Sequence, residues 1–434
     1  MKQLDLRRNL TVLTWVSAFY GLAFGIYDLA LPLHLHSRGF TGMTGSLVYA
    51  VPILVCIVVR LWVGPLSDRL GRKLFYGLAL LGNALSSLLT PFLPWVAGQV
   101  ALRSLRDASV AVRDTVHSIV LYETAKRRFI GVLGRIGGVQ ILSQCLGFLI
   151  VGYGLTWLVP RAAGGETGKE GYGPVLVLSG VMLLGVTALF ARGFKEQVSA
   201  GGGSGDSSFL GDLLRLRLDN RLYVMMLSIL IFNLGFAACH TYIMFVFWPD
   251  KFAVTRAGMG WIMFAHRLLL ALPMLAVGRI VRGPLHRHRR LLMIVSLLLQ
   301  SATIVAAGVI PLFWLALGIW LLHDLLGAGV WFPIRSELLQ RYCRGHVRGA
   351  DTSKALALAQ VGSLAGVLLA GWCYMPRTGN LVRGLFGMAA QARQVYGLAF
   401  VVGGIIMALS VLPLLLLLVI DPEERGEAAA GADA

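Results

Sequence analysis

Long apolar runs separated by short polar connections recur along the whole chain, at about 10–34, 45–66, 74–92, 95–120, 133–158, 173–192, 221–247, 258–281, 291–310, 311–340, 353–374 and 396–420. A helix needs roughly 20 apolar residues to cross the hydrocarbon core and satisfies its own backbone hydrogen bonds, so each run predicts a transmembrane helix. The first run follows Lys2, Arg7 and Arg8, as a signal peptide would. It is too long for one and has no A-x-A-like cleavage site before Asp28 and Pro32, so it reads as a retained first helix. Between the sixth and seventh runs, Gly201-Gly202-Gly203-Ser204-Gly205-Asp206-Ser207-Ser208 has the composition of a flexible linker and divides the runs six and six.

Composition agrees with the pattern. The 434 residues are 57% hydrophobic and only 14% charged, where a soluble chain carries about 25% charged residues. A mean hydropathy of +0.74 leaves too much apolar surface for a water-soluble domain to hide. The net charge of +18, from 39 Lys+Arg against 21 Asp+Glu, could indicate nucleic acid, but its placement gives a topological reason instead. With the N-terminus in the cytoplasm, 25 of the 39 basic residues lie on the cytoplasmic side, eight outside and six within spans. That bias is the positive-inside pattern and predicts cytoplasmic N- and C-termini in a cell or inner membrane. His286-Arg287-His288-Arg289-Arg290 then reads as an anchor on anionic lipid at the cytoplasmic face, not as a nucleic-acid or metal site. Five single cysteines in apolar runs (Cys56, Cys145, Cys239, Cys343, Cys373) form no CxxC pair and have no His at ligand spacing, so neither a disulfide framework nor a metal site is expected.

After the second run stands Gly64-Pro65-Leu66-Ser67-Asp68-Arg69-Leu70-Gly71-Arg72-Lys73. This segment resembles the G-x-L-x-D-R-x-G-R-K loop signature of the major facilitator superfamily at nearly every defining position. Gly64 permits close helix contact, Asp68 can pair with a basic group or helix end across the domain interface, and Gly71 allows a sharp turn before the third span. Arg69, Arg72 and Lys73 complete this conformational motif. A degenerate second copy follows run eight, Gly278-Arg279-Ile280-Val281-Arg282-Gly283-Pro284, with Arg282 where Asp68 stands in the first. A weaker echo pairs Arg106-Asp107 with His323-Asp324.

The resemblance covers essentially the whole chain. It implies an all-α polytopic membrane protein of about twelve transmembrane helices in two pseudo-symmetric six-helix bundles, residues 1–192 and 221–420. A cytoplasmic linker, 193–220, joins them, and a cytoplasmic tail, 421–434, follows. Such halves rock as a monomer around a midplane cavity, exposing it alternately to each side.

Charged side chains at membrane depth cost roughly 2.5 to 3.5 kcal/mol each on insertion scales, so those retained face a cavity or a partner. Span four carries Arg103, Arg106, Asp107, Arg113, Asp114 and His117 on one helical stripe. The resemblance points to a span-four Arg in proton coupling within an R-x-x-x-G pattern; Arg103 stands there, with Asp107 in place of Gly. The bland alternative is a packing ladder of Arg103 or Arg106 with Asp107 and Arg113 with Asp114. Asp28, past the middle of span one, can exchange a proton as its surroundings change from wet to dry, or pair with Arg60 or a span-four Arg. Asp28, Arg103 and Asp107 are thus the proton-coupling candidates. Arg60, Arg106, Gln140, Gln144, Asn233, His240, His266, Arg267, His323 and Asp324 are the substrate-cavity candidates. Arg113, Asp114 and His117, nearer the cytoplasmic end, are read as an interdomain gate or structural group.

There is no G-x-S-x-G elbow, HExxH pair, phosphate-binding loop or nucleotide-binding domain, so neither an enzyme nor ATP-driven transport is expected, and no cofactor is implied. The leading expectation is a proton-coupled secondary transporter of a small organic solute. Six intramembrane arginines (Arg60, Arg103, Arg106, Arg113, Arg267, Arg335) against Asp28, Asp107, Asp114, Asp324 and Glu337 tilt it towards an anionic or zwitterionic substrate. The alternative within the class is a multidrug-type exporter with an aromatic cavity. From another class come a membrane-embedded enzyme or a non-transporting sensor.

Overall fold

Every long apolar run becomes a helix in the computed structural model, which describes residues 2–38, 42–125, 128–158, 172–196, 218–241, 243–280, 288–344, 347–373 and 397–420. The spans are α1 (Lys2–Ser37), α2 (Gly42–Leu70), α3 (Arg72–Leu89), α4 (Val96–Ala125), α5 (Phe129–Leu158), α6 (Tyr172–Gly193), α7 (Asn220–His240), α8 (Arg256–Ile280), α9 (Arg289–Val309), α10 (Phe313–Tyr342), α11 (Arg348–Cys373) and α12 (Leu398–Ile420). The described residues contain no strand. Eleven of these helices are long and apolar enough to cross a membrane. The other is α4, whose charged stripe lowers its hydropathy although its 30 residues make it as long as its neighbours. Side chains such as Trp314 (80% exposed), Val419 (75%) and Leu368 (62%) point outwards, as a lipid-facing surface requires.

Run seven ends early. The chain leaves the α conformation at Thr241, whose hydroxyl donates back to the Ala237 carbonyl (3.0 Å), and resumes as a short helix, Ile243–Phe252. Most of the predicted linker, residues 197–217, lies outside the described residues, as do the predicted tail 421–434, Val281 to Arg287 of the second motif copy and basic segment, and Lys126-Arg127.

Glycine sets how closely the helices meet. In the first half, a Cβ on Gly21 or Gly25 of α1 would fall 2.1 and 2.4 Å from the Gln140 and Gln144 carbonyl oxygens of α5. In the second half, Gly362 and Gly366 of α11 stand in the same relation to the Leu230 and Leu234 carbonyls of α7, at 2.0 and 2.3 Å. Small residues of this kind let backbones approach where lipid offers no hydrophobic drive for association. The first half packs α1 on α5 and α6, and α4 on α2 and α3; the second packs α7 on α11 and α12, and α9 on α10 and α12. The halves meet along two helix pairs, α5 with α8 and α2 with α11.

Candidate functional site

At the α2–α3 end the halves are tied together by the motif. The Asp68 carboxylate accepts from the backbone N–H groups of Gly349 (3.2 Å) and Ala350 (3.0 Å), so a residue of the first half caps the N-terminus of α11 in the second. Arg72 holds the same carboxylate at 2.6 Å and donates to Ser67 Oγ (2.9 Å) and Glu123 Oε1 (3.3 Å). Gly64 faces Gly349, where a Cβ would fall 2.4 Å from the Gly349 carbonyl oxygen. Gly71 has φ +95, the left-handed region that favours glycine. Behind the turn, Glu196 accepts from the Arg72 and Lys73 N–H groups (3.3 and 2.7 Å) and so caps α3. Gln340 of α10 donates to Ser118 Oγ of α4 (3.1 Å), and Arg348 lies over the Tyr122 ring at 4.5 Å, adding two further ties between halves.

Above these ties lies a cavity of about 250 Å³ whose walls come from both halves: Arg60 of α2, Arg113, Asp114 and His117 of α4, Gln140 of α5, Met274 of α8, and Phe332, Arg335 and Gln340 of α10. Asp114 is the one carboxylate among its described lining residues, half exposed and held by Arg113 at 2.9 Å. Arg113 also donates to Gln140 Oε1 (2.5 Å) and stacks on the Tyr20 ring (4.1 Å). Arg60 reaches Thr115 Oγ1 at 3.4 Å, and Arg335 lies over the Trp331 and Phe332 rings at 4.5 and 4.7 Å. Arg335 has no carboxylate partner among the described residues, Asp114 is within electrostatic range of Arg60, and the two guanidiniums are close enough to repel each other across the cavity. Two guanidiniums from opposite halves facing one space favour an anion between them.

Two polar clusters lie farther along α4 and α10. In the first half, Arg103 Nε donates to Asp107 Oδ2 (2.9 Å) and its guanidinium lies 5.1 Å over the Tyr49 ring. Arg106, 1% exposed, stacks 3.5 Å over Tyr27 and donates to Ser87 Oγ (2.8 Å). Asp28 is within electrostatic range of Arg103, Arg106 and Asp107, and across the halves of His266. In the second half, His240 Nε2 lies 2.9 Å from His323 Nε2, and Asp324 touches His266 Nδ1. His323 and Asp324 begin a six-residue π-helical turn, His323–Ala328, which lets successive side chains point into one bundle.

The sequence-predicted residues therefore separate into groups. Arg60, Gln140, Arg113, Asp114 and His117 line the cavity. His117 Nδ1 is also 3.0 Å from the Tyr76 hydroxyl. Arg106 is enclosed inside the first half and does not line the cavity. Asn233 ties α7 to α11 through the Ala359 carbonyl (3.0 Å), and the Gln144 backbone packs on Gly25. His240, His266, His323 and Asp324 form a buried cluster inside the second half, with Arg267 within electrostatic range of Asp324. Arg335, Ser118, Ser336 and Gln340 line the cavity without having been named as candidates. The intramembrane position of Arg335 was the one signal available in the sequence.

A family model described as Major Facilitator Superfamily matches residues 13–366. The multidrug resistance protein MdtG of Salmonella paratyphi C is 30% identical over 160 residues, 34% of this chain and 39% of that protein. MdtG of Enterobacter lignolyticus is 28% identical over 152 residues, 34% of this chain and 36% of that one, so the alignments span little more than a third of these relatives. Among solved structures, the human organic anion transporter MFSD10 superposes with a TM-score of 0.69 at 18% identity, over 95% of this chain and 99% of that one. The proton:xylose symporter XylE gives 0.70 at 15% identity, over 95% and 96%, and FucP in its outward conformation gives 0.64 at 14%, over 92% and 98%. At these identities the likeness is one of fold.

Proposed function

The chain belongs to the Major Facilitator Superfamily, and from that premise we propose a secondary active transporter that moves a small organic anion or zwitterion through the cavity between its halves by alternating access. The observation that carries the substrate class is the lining: Arg60, Arg113 and Arg335 from both halves against Asp114 alone. A ligand bearing one carboxylate or phosphate between Arg60 and Arg335 relieves their mutual repulsion, and its binding draws the halves together. The rest of the lining, Met274, Phe332 and Leu339 among it, suits an organic body on that charged group.

The driving ion in this reading is the proton. Asp28 lies among Arg103, Arg106, Asp107 and His266, so protonation changes an electrostatic balance shared by both halves. Asp68 and the α11 N-terminus form the latch that is made and broken in each cycle, at the end assigned to the cytoplasm. The protein sits in a cell or inner membrane with both termini cytoplasmic, and acts as a transporter and not an enzyme.

The test uses the purified full chain in proteoliposomes with a panel of organic anions, sugars, amino acids and lipophilic cations. Anions should raise the melting temperature and be taken up, and Arg335→Gln should weaken anion binding about tenfold, the loss of one charge-assisted contact. Asp28→Asn should abolish proton-driven uptake while sparing counterflow. Stabilisation by lipophilic cations alone would instead favour the multidrug reading, which the partial similarity to MdtG supports.

A further inference from the structure

Within the second half, three histidines from three different helices converge in a fully buried site. His240 of α7, His266 of α8 and His323 of α10 are 5%, 3% and 1% exposed, and one ring nitrogen from each lies within 4.8 Å of the others. Nδ1 of each ring is already engaged. His323 Nδ1 meets the Trp320 carbonyl oxygen, His266 Nδ1 meets the Asp324 carboxylate, and His240 Nδ1 is 3.3 Å from Cys239 Sγ. A carbonyl and a carboxylate only accept, so they place the protons of His323 and His266 on Nδ1 and leave the Nε2 lone pairs available to a ligand. His323 Nε2 then faces His240 Nε2 at 2.9 Å.

We propose that this cluster binds one first-row divalent transition metal ion, for which Zn²⁺ is the best match, through Nε2 of His240, His266 and His323. Three arguments converge on it. First, a histidine that ligates through Nε2 almost always donates Nδ1–H to a carbonyl or carboxylate, and two of these three rings have that partner in place. Second, three imidazoles and one remaining position are the ligand set of a tetrahedral zinc site, and Asp324 Oδ1, 3.4 Å from His323 Nε2, stands beside that fourth position. Third, the surroundings are apolar and close-packed: the three ring centroids lie 4.6 to 6.1 Å from that of Trp320, and the π-helical turn brings His323 and Asp324 into the bundle together. Three ring nitrogens gathered in such a place without a cation would set lone pairs against each other or depend on one shared proton. The metal, by pinning α7, α8 and α10 to one another, would make this half a stiffer body than its partner. The proposal does not depend on what the transporter carries.

The test is metal binding by the purified full chain carrying a tag without histidine. Wild type, stripped with chelator and incubated with Zn²⁺ alone, should retain about one equivalent through gel filtration and melt at a higher temperature than the stripped protein. Co²⁺ in its place should show the ligand-field bands of a tetrahedral nitrogen site. His323→Gln and His240→Gln should each weaken Zn²⁺ binding about 100-fold, whereas His34→Gln, outside the cluster, should leave it unchanged. The Co²⁺ spectrum of wild type needs no variant to fold. A folded wild type that retains no Zn²⁺ and gives no tetrahedral Co²⁺ spectrum overturns the proposal, as does Zn²⁺ retention that survives His323→Gln. Loss of transport in the variants does not bear on it, so its failure is distinct from failure of the transport reading.

Discussion

The two halves of this protein carry different chemistry on the same frame. One spacing along the chain relates Arg72 to Arg289, Tyr49 to His266, Arg103 to Trp320, Arg106 to His323 and Asp107 to Asp324. At the helix ends the pairs match in kind: Arg72 reaches Glu123 at 3.3 Å and Arg289 reaches Glu337 at 3.2 Å. In mid-span they do not. The first half places guanidiniums on aromatic faces, Arg106 on Tyr27 and Arg103 over Tyr49, which are cations at every pH the cell meets. The second half replaces them with imidazoles packed against one another and Trp320, groups that coordinate and exchange protons. The latch shows the same divergence, since Asp68 caps α11 from the first half while Arg282 occupies the matching place in the second. Pseudo-symmetry thus preserves the contacts that hold a bundle together and leaves the interior free to specialise.

Making one half resemble the other should break the protein in graded ways. The largest effect is expected from Gly64→Val, which fills the close approach of α2 to α11. Its side chain would meet the Gly349 carbonyl oxygen, so the halves could no longer close at that end. Proteoliposome uptake should fall about 100-fold while gel filtration still shows folded protein, the cost of a backbone clash at a moving interface. Next comes Arg106→His, which writes the His-Asp pair of α10 into α4. A permanent cation stacked on Tyr27 becomes a titrating one, so uptake should drop about tenfold at neutral pH and acquire a new acid-side dependence.

A comparable split is expected for the paired carboxylates. Asp324→Asn should weaken Zn²⁺ retention about tenfold by loosening His266, whereas Asp107→Asn should leave retention through gel filtration unchanged. The smallest effect concerns Lys251, a buried base in the short helix that follows the first span of the second half. Burial lowers Lys251 to about 8. Folded protein therefore binds fewer protons than unfolded protein between pH 8 and 10.5 at Lys251, and stability rises with pH across that window. Melting curves should show Lys251→Met flattening the alkaline rise by a few degrees.

Much of the frame was legible before any coordinates. Hydrocarbon thickness imposes a length on each run, so twelve helices, their six-and-six division and the outward apolar faces follow from local pattern alone. The turn at Gly71 and the cluster of charge on α4 are local too. The partner of Asp68 was not, because the N–H groups it caps lie 281 and 282 residues away on α11. Arg106 and Arg113 looked alike on one stripe of α4, yet one is enclosed between Tyr27 and Ser87 while the other lines the cavity. A helical stripe about 100° wide can face two neighbours at once, and sequence spacing does not say which residue meets which.

The three histidines make the same point more sharply. Each was visible as a polar residue in a costly place, and none had a partner at ligand spacing in the chain. Composition and periodicity determined that this protein spans the membrane as two helical halves, because the solvent acts on each segment separately. Which polar side chains share a cavity, a latch or a ligand set was decided only when helices far apart in sequence packed together, because hydrogen bonds and coordination reach a few ångströms across space whatever the distance along the chain.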